Sequence, residues 1–531
     1  MRRIAIFCSG AACVIPRFVG ALSPFIANRP KSVSCAQRPS GRLGALSCLL
    51  LLPFLAGAQN AFSPGGNEYP IVGNLIGEQT WPQAAVNTNG GVLVWQDNNA
   101  DGNGLGIRAA RLSAGLTAAG GIFRVNSIAA GDQEKPRVAL LQNGGAVIVW
   151  QGGNVGFQKI FARFLNPTGT NFTGNDVMVN TYANSFQIDP AVATLADGSV
   201  IVVWASDGQD GSYQGVYGQR FTAAGAKLGP EFRVNDFTAN NQRSPAVAAL
   251  KNGGFVVVWI SELERTLTSV DAFGRLFDSA GNAVSGEFLV NTGNAICAHP
   301  DIAASPDGGF AVAWSELNVP RQQVTGTFSG SAYPGSSWDV MAEIFNVSST
   351  GGGAQTASVV ASPFRLNTMV YGNQYSPKLS AFGHSYLATW VSMGQDAAWE
   401  GVYGQFFSNS GKLAGVEFRV NTTAAGRQLQ PAVCSDGISR FLVTWTSFVA
   451  GTSFDLMARA YDLIQVSITQ AADGLKISWN TQPGSVYQVQ VSSDYVNWSN
   501  YGAPRTAAGY GDAVTINNLA TAGIFRVVRV E

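Results

Sequence analysis

Charged side chains are scarce in this sequence. Asp, Glu, Lys and Arg together make up 12% of the 531 residues, and 33 basic side chains balance 33 acidic ones. Nucleic-acid-binding proteins carry a clustered basic excess, so this balance argues against a nucleic-acid partner. Histidine is scarcer still, with only His299 and His384. Two histidines exclude a histidine-rich metal centre and leave little for a Ser-His-Asp triad.

Long apolar runs are missing from residue 59 onward, which argues against a transmembrane segment in the mature chain. The one such run, at 46–55, follows Arg38 and Arg42 and precedes the small residues AGA. This order is typical of a cleaved signal peptide. We therefore assign residues 1–58 to a leader, whose length also indicates a misassigned translation start, and we expect a secreted, extracellular or cell-surface protein.

Cysteine is nearly absent once the leader is removed. Of the six cysteines, only Cys297 and Cys434 lie beyond residue 58, and they fall in different repeats. No disulfide framework is therefore expected, although the predicted destination is oxidising.

What the sequence does contain is a repeat of about 55 residues. Each copy has a short strand opened by proline, a tight turn that is usually Asn-Gly or Asp-Gly, an apolar strand ending in tryptophan, and two further strands. Four antiparallel strands per copy are typical of a propeller blade. The tryptophans are Trp95, Trp150, Trp204, Trp259, Trp314, Trp390 and Trp445.

The last copy lacks its fourth strand, and we predict that Ile71, Val72, Gly73 and Asn74 supply it from the N-terminal side. The predicted fold is therefore all-β, a seven-bladed β-propeller at residues 69–463 closed by an N-terminal strand. An asparagine ends most fourth strands, and a glutamine stands three residues before most strand-opening prolines. Because both recur in nearly every copy, we interpret them as structural.

Two resemblances accompany these patterns. The strings VVWASDGQDG (202–211), GVYGQRF (215–221) and EFRVN (231–235) resemble tandem repeats of large secreted bacterial proteins, which implies the propeller fold and no assigned activity. Residues 464–531 are similar to a small C-terminal β-sandwich of the immunoglobulin or fibronectin type III kind, and their alternating strands fit that fold.

Candidate functional residues lie where the repeats differ, in the loops that join the second and third strands. Blades three and six share Gly-Gln-Asp followed by an aromatic residue, and blade five carries a long insertion. Aromatic rings beside carboxylates bind sugars, although polar turns with one anchoring ring have the same composition. The predicted ligand-binding residues are Asp207, Asp210, Tyr213, Tyr333, Asp396 and Trp399.

The loop of blade one places oxygen side chains at alternate positions, with Gly102 sixth, as a calcium loop would. Its candidate ligands are Asp97, Asn99, Asp101 and Asn103. Arg108 stands where the closing glutamate of such a loop is expected, so a solvated turn is the competing interpretation. Calcium is the one cofactor for which the sequence contains a binding pattern.

No convincing set of acid, base and nucleophile is visible in the sequence. We therefore expect a non-catalytic, monomeric propeller for binding or adhesion that recognises a polysaccharide or a surface protein. One alternative is a polysaccharide-acting enzyme, a hydrolase or lyase, with carboxylates such as Asp207, Asp210, Asp396 or Glu316 in the central channel. The other alternative is a structural matrix protein.

Overall fold

The computed structural model describes residues 62–317, 337–396, 399–449, 453–471, 474–481, 486–493, 497–509, 511–517 and 524–530. The predicted leader and the candidate residue Tyr333 lie outside these ranges. The chain divides into two compact units, Gly57–Ile464 and a second unit that contains Gln465–Glu531. The described residues form β-strands and no helix, which confirms the all-β class. Accordingly, no helix in this part of the chain could span a membrane.

The larger unit consists of short antiparallel strands. In chain order they are β1 (Phe62–Pro64), β2 (Tyr69–Pro70), β3 (Gln79–Asn87), β4 (Gly90–Asp97), β5 (Gly106–Leu112), β6 (Ala118–Arg124), β7 (Asp132–Leu140), β8 (Ala146–Gly153), β9 (Lys159–Leu165), β10 (Val177–Met178), β11 (Gln187–Thr194), β12 (Val200–Asp207), β13 (Gln214–Phe221), β14 (Lys227–Arg233), β15 (Gln242–Ala249), β16 (Phe255–Glu262), β17 (Val270–Phe277), β18 (Phe288–Leu289), β19 (Ile296–Ala304), β20 (Gly309–Leu317), β21 (Trp338–Gly351), β22 (Ala354–Arg365), β23 (Gln374–Phe382), β24 (Ser385–Met393), β25 (Glu400–Ser408), β26 (Leu413–Arg419), β27 (Gln428–Ser435), β28 (Arg440–Val449) and β29 (Ser453–Leu463).

These strands form seven antiparallel sheets, in which neighbouring strands follow chain order. Sheets 1 to 6 start at β3, β7, β11, β15, β19 and β23, and each has four strands. Sheet 7 contains β27, β28 and β29, with β1 and β2 both paired to β29. The first strand of each sheet contacts the first strand of the next, and β27 contacts β3. The seven sheets therefore close into a ring, whose central channel is bordered by the first strands.

The second strand of each sheet is mostly apolar up to its tryptophan because neighbouring sheets cover both of its faces. The tryptophan that ends its apolar run is fully buried in all seven sheets. Trp95 of sheet 1, for example, packs against Leu442 and Leu456 of sheet 7. The tryptophans thus fill the interfaces between sheets, as their recurrence predicts.

Chain direction gives the ring two different faces. The crossing face carries the segments that lead from one sheet to the next, together with the loops between second and third strands. The hairpin face carries the two tight turns of each sheet.

The recurring polar residues hold the backbone at the crossing face, which confirms their structural interpretation. In six sheets an asparagine side-chain oxygen accepts the N–H of a third-strand residue; these are Asn126, Asn180, Asn235, Asn291, Asn367 and Asn421. In six sheets a glutamine amide donates to the carbonyl three residues earlier; these are Gln79, Gln133, Gln187, Gln242, Gln374 and Gln428.

The N-terminal segment does complete sheet 7, but not in the predicted register. Tyr69 pairs with Ala458, as Phe232 pairs with Gly218 in sheet 3. The N–H of Ile71 donates to Leu456, in the pattern of the residue before each recurring asparagine. Val72 therefore takes the asparagine position.

An acidic residue explains this register. Glu68 accepts the N–H groups of Thr422 and Thr423, just as Glu231 accepts that of Thr181 between sheets 3 and 2. Glu68 and Tyr69 therefore set the register of the closing strand. The prediction that Ile71, Val72, Gly73 and Asn74 form this strand is wrong by two residues. Asn74 is exposed.

The C-terminal unit forms two three-stranded antiparallel sheets, β30-β31-β34 and β33-β32-β35. Trp479 of one sheet and Tyr487 of the other are buried. A relation to fibronectin type III modules stays a prediction. The strands are β30 (Val466–Ala471), β31 (Gly474–Asn480), β32 (Val486–Ser492), β33 (Ser499–Thr506), β34 (Gly511–Ile516) and β35 (Ile524–Val530).

Candidate active site

Every first strand carries a β-bulge at the residue before its proline. At this position the backbone is left-handed in all seven sheets, with φ between 49° and 55°. Non-glycine residues rarely adopt this conformation, which costs on the order of 1–3 kcal/mol each and is concentrated at functional sites. We call these residues the axial ring: Trp81, Lys135, Asp189, Ser244, His299, Ser376 and Gln430.

Side chains from neighbouring sheets hold the axial ring in this conformation. The N–H of Lys135 donates to Gln96 at 2.7 Å, and that of Asp189 donates to Gln151 at 3.0 Å. Both acceptors directly follow the buried tryptophan of the preceding sheet. The backbone N–H groups of Lys135 and Asp189 make these contacts without their side chains, whereas the side chain of Gln430 accepts the N–H of Trp81 at 2.9 Å.

Opposite charges meet in the axial ring. The ammonium of Lys135 lies 2.5 Å from a carboxylate oxygen of Asp189, and both side chains keep about a quarter of their surface exposed, at 30% and 25%. The same ammonium lies 5.9 Å from the centre of the Trp81 ring. A carboxylate, an ammonium and an aromatic ring therefore share one side of the channel mouth.

A second group of charges follows directly after the prolines. Lys378 lies 3.5 Å from Asp301, and the other oxygen of Asp301 accepts the N–H of Leu379 at 2.7 Å. Arg137 interacts electrostatically with Asp301 and Asp189. Ionisable groups of sheets 2, 3, 5 and 6 thus converge in the channel.

His299 is a neutral imidazole at this site. Partial desolvation of the ring, together with the cations Lys378, Arg243 and Lys135, lowers the pKa of His299 to about 4, while Asp189 opposes them. A neutral imidazole can accept a proton, as a general base does, and a pKa of about 4 makes His299 a weak base, comparable in strength to a carboxylate.

Exposed apolar side chains surround this charged centre. Most of the large exposed hydrophobic residues in the described part of the larger unit lie on the crossing face; the exceptions are Met178, Val359, Val360, Val416 and Ile438. The aromatic members at this face are Phe157, Tyr213, Tyr371, Trp399 and Phe448. Exposed aromatic rings beside polar groups are typical of ligand sites.

The predicted residues of the Gly-Gln-Asp loops lie on this face, in sheets that are not neighbours. In sheet 3, Gln209 is bound by the structural Glu231, and Asp210 accepts the N–H of Ser212 at 3.1 Å within a turn. Asp207 accepts the hydroxyl of Ser185 at 2.6 Å. Two of these polar residues therefore help to shape the loop.

The loop of sheet 6 repeats this arrangement. Gln395 donates to Glu417 at 2.9 Å, and a side chain at Gly401 would collide with the carboxylate of Asp396. Tyr213 and Trp399 project from the two loops, and each is 64% exposed. The predicted ligand residues thus divide into loop-forming acids and exposed rings.

The predicted calcium loop uses its oxygens in other contacts. Asp97 accepts the N–H of Asn99 at 2.8 Å and lies 3.4 Å from Arg108. Asp101 accepts the N–H of Asn103 at 3.1 Å and the side-chain amide of Asn126 at 2.7 Å. No group of three or more His, Cys, Asp or Glu side chains converges within the described ranges. Calcium binding stays a prediction. The carboxylate oxygens that would bind the ion already accept backbone N–H groups in two turns, and Asp97 contacts Arg108.

Sequence reasoning missed Asp189, His299 and the other axial-ring residues as a group. A signal was present, because the two positions between the recurring glutamine and the proline change from copy to copy, and one of them is the axial-ring position. The left-handed conformation that unites this position was not visible without the structure.

Comparison with known proteins gives fold-level similarity. No protein-family model matches the chain, and no curated protein matches it. Among solved structures, a protein of unknown function from Dyadobacter fermentans has a TM-score of 0.43 at 12% identity, covering 62% of this chain and 94% of that one. The α-L-arabinanase of Penicillium chrysogenum, complexed with arabinobiose, has a TM-score of 0.41 at 14% identity, with 62% and 93% covered.

A third match is the family GH93 α-L-arabinofuranosidase of Fusarium graminearum, with a TM-score of 0.39 at 10% identity and coverage of 62% and 92%. Two of these three structures are glycoside hydrolases, which does not agree with the main functional prediction, a non-catalytic binding propeller, and that prediction is withdrawn. At such identities and TM-scores the similarity concerns the fold, and the residues of the site must carry any functional argument.

Proposed function

We propose that this protein is a secreted enzyme that cleaves a polysaccharide at the mouth of the channel of a seven-bladed β-propeller. The seven closed sheets support the blade number, and the leader pattern supports secretion. One observation carries the catalytic proposal: strained residues with ionisable side chains lie at the centre of the same face that carries the exposed aromatic rings.

The aromatic rings would bind the chain of sugars. Tyr213 and Trp399 project from sheets on different sides of the ring, so a ligand in contact with both would extend across the channel mouth. Flat apolar rings stack on sugar faces, and they would hold a long polymer without deep enclosure.

Asp189 and His299 would supply the proton chemistry. Lys135 forms an ion pair with Asp189 at 2.5 Å, which fixes the position of the carboxylate. His299 is neutral above about pH 4 and can take a proton from the sugar or from water. The imidazolium that forms interacts electrostatically with Asp189 and would return its proton to the oxygen of the departing sugar, which balances the step.

The test is turnover of a panel of plant and bacterial polysaccharides by the full mature chain. New reducing ends without an unsaturated product would identify hydrolysis, whereas ultraviolet absorbance of an unsaturated sugar would identify elimination. Asp189→Asn and His299→Gln should each reduce kcat by roughly 10²- to 10⁴-fold. The activity of the unaltered protein should fall as pH drops through about 4, where His299 becomes protonated.

The matched control is Asp197→Asn on the hairpin face. Asn-Gly already forms the equivalent turn at Asn89, Asn143 and Asn252, so this variant should fold and retain full activity. Turnover that survives in both Asp189→Asn and His299→Gln would refute the assignment of these residues. Absence of turnover across the panel would refute the proposed function.

A further inference from the structure

The channel contains more cations than its acids balance. Lys135 is matched by Asp189, and Lys378 shares Asp301 with a backbone N–H. Arg243 is matched by Glu262 at 2.7 Å. Arg137, on the first strand of sheet 2, lies among these groups as an additional positive charge.

Arg137 has no ion-pair partner among the described residues. Its one hydrogen bond joins Nη1 to the carbonyl of Pro136 at 3.1 Å, which leaves most of its five N–H donors unused. The side chain is only partly exposed, and burial lowers its pKa. Asp301 and Asp189 interact with this guanidinium electrostatically but not through an ion pair among the described residues, and its planar fork matches a carboxylate or a sulfate.

The field of these cations reaches the catalytic histidine. Lys378, Arg243 and Lys135 each lower the pKa of His299, so the potential at the imidazole is positive despite Asp189. An anion bound among the same cations would reverse part of this effect. His299 can therefore report on the occupancy of the channel.

We propose that the channel binds the anionic group of an acidic polysaccharide, a uronate carboxylate or a sulfate ester, through Arg137 and Lys378. This inference rests on the proposed function and names its substrate class. Arg137 would bind the anion with two parallel N–H groups, and Lys378 would add a second positive charge from across the channel. The aromatic rings at the crossing face would hold the neighbouring sugars.

Binding of defined oligosaccharides to the full chain tests the proposal. The probes are oligogalacturonate, the same oligomer with its carboxylates methyl-esterified, a sulfated galactan oligomer and a neutral arabinan oligomer. At least one acidic oligomer should bind, and its affinity should weaken as salt is raised. If oligogalacturonate is the one bound, the esterified oligomer should bind at least about tenfold more weakly, because only the charge has been removed. The sulfated oligomer distinguishes sulfate from carboxylate as the source of the anion.

Arg137→Gln and Lys378→Met should each weaken binding of the acidic oligomer by about tenfold to hundredfold, as expected for a lost charge-assisted hydrogen bond. Lys412→Gln, an exposed charge change on the hairpin face, is the matched control and should leave affinity unchanged. Arg137→Gln should also fold, since the one hydrogen bond of this side chain among the described residues is to the adjacent carbonyl of Pro136.

Nuclear magnetic resonance of the two histidines supplies a second readout. His384 lies on the hairpin face beside Asp307, so His384→Gln assigns the remaining imidazole signal to His299. The acidic oligomer should raise the pKa of His299 from about 4, and so should Lys378→Met. A neutral oligomer should leave it unchanged.

The failure of this proposal is distinguishable from failure of the proposed function. Turnover or tight binding of the neutral arabinan, with no effect of Arg137→Gln, would overturn the anionic-substrate assignment and leave the enzyme proposal intact. Tight binding of an acidic oligomer with no turnover would overturn the enzyme proposal and leave the anionic-ligand assignment intact. Failure of every acidic oligomer to bind or to shift His299 would overturn the assignment.

Discussion

Two positions in each sheet, one on the second strand and one on the first, behave in opposite ways across the ring. At the tryptophan position the side chain recurs in all seven sheets and is fully buried. At the axial-ring position only the backbone recurs, with φ near 50°, while the side chain changes from sheet to sheet. The first position is constrained by packing between sheets. The second is held through its backbone N–H at Lys135 and Asp189, so these side chains are available to a ligand, whereas the side chain of Gln430 holds the backbone of Trp81.

Removal of a recurring tryptophan should have the largest effect on stability. Trp259 is fully buried and its indole N–H has no hydrogen-bond partner, so its contribution is packing alone. Trp259→Ala should lower the free energy of unfolding by roughly 3 to 5 kcal/mol, measured by urea denaturation. Ile438→Ala, at a 64% exposed side chain, is the control. A loss under about 1 kcal/mol for Trp259→Ala would contradict the interpretation of this position as a wedge between sheets.

Glu343 is a buried acid at a third-strand position that holds glutamine in sheets 3 and 6. Glu343 aligns with Gln219 and Gln405. The amide of each glutamine donates to the carbonyl of the next residue on the third strand and to the fourth strand. Neither oxygen of Glu343 has a partner, and burial raises its pKa to about 8. The carboxyl group is therefore neutral in the folded protein at pH 7.

The folded protein binds one more proton than the unfolded chain between the two pKa values of Glu343. Its stability should therefore fall as pH rises from about 4.5 to about 8, by roughly 4 kcal/mol in total. Glu343→Gln should remove this dependence and gain amide hydrogen bonds. Urea denaturation at about pH 5 and about pH 9 measures both effects. Equal pH profiles for the variant and the unaltered protein would show that Glu343 is not the titrating group.

The smallest effect concerns the register of the closing strand. Asn235 accepts the N–H of Val216 at 2.7 Å, so Asn235→Ala leaves a buried donor unpaired and should cost about 1 to 3 kcal/mol. Asn74→Ala should cost under about 0.5 kcal/mol, because Asn74 is exposed and Val72 holds the equivalent position. Thermal unfolding of the two variants compares them directly. Equal losses would restore the register first expected from the sequence.

The scaffold was predictable from the sequence because each sequence feature that builds it is local and recurs in every repeat or nearly every repeat. Asn-Gly turns, strand-opening prolines and the tryptophan strands indicate the sheets one by one, and the missing fourth strand predicts closure of the ring. The register of that closure was not predictable from the Ile71 segment, since it depends on Glu68 reaching Thr422 and Thr423 from more than 350 residues away.

The candidate site could be predicted from the sequence only in part. The sequence placed Tyr213 and Trp399 among the functional candidates, and both project from the crossing face. It also named Asp210, one oxygen of which accepts the N–H of Ser212 in a turn, and a ligand-binding role for this residue stays a prediction. A carboxylate near an aromatic residue has the same composition in a binding loop and in a structural turn, and only hydrogen-bond partners distinguish them.

The sequence by itself determined the all-β class, the repeated unit and the residues that hold it together, because hairpins and apolar strands are encoded within a few tens of residues. The tertiary structure alone decided which side chains meet at the axis. Asp189, His299, Arg137 and Lys378 come from four different sheets. They converge only because the ring closes and the bulge before each proline turns the backbone left-handed.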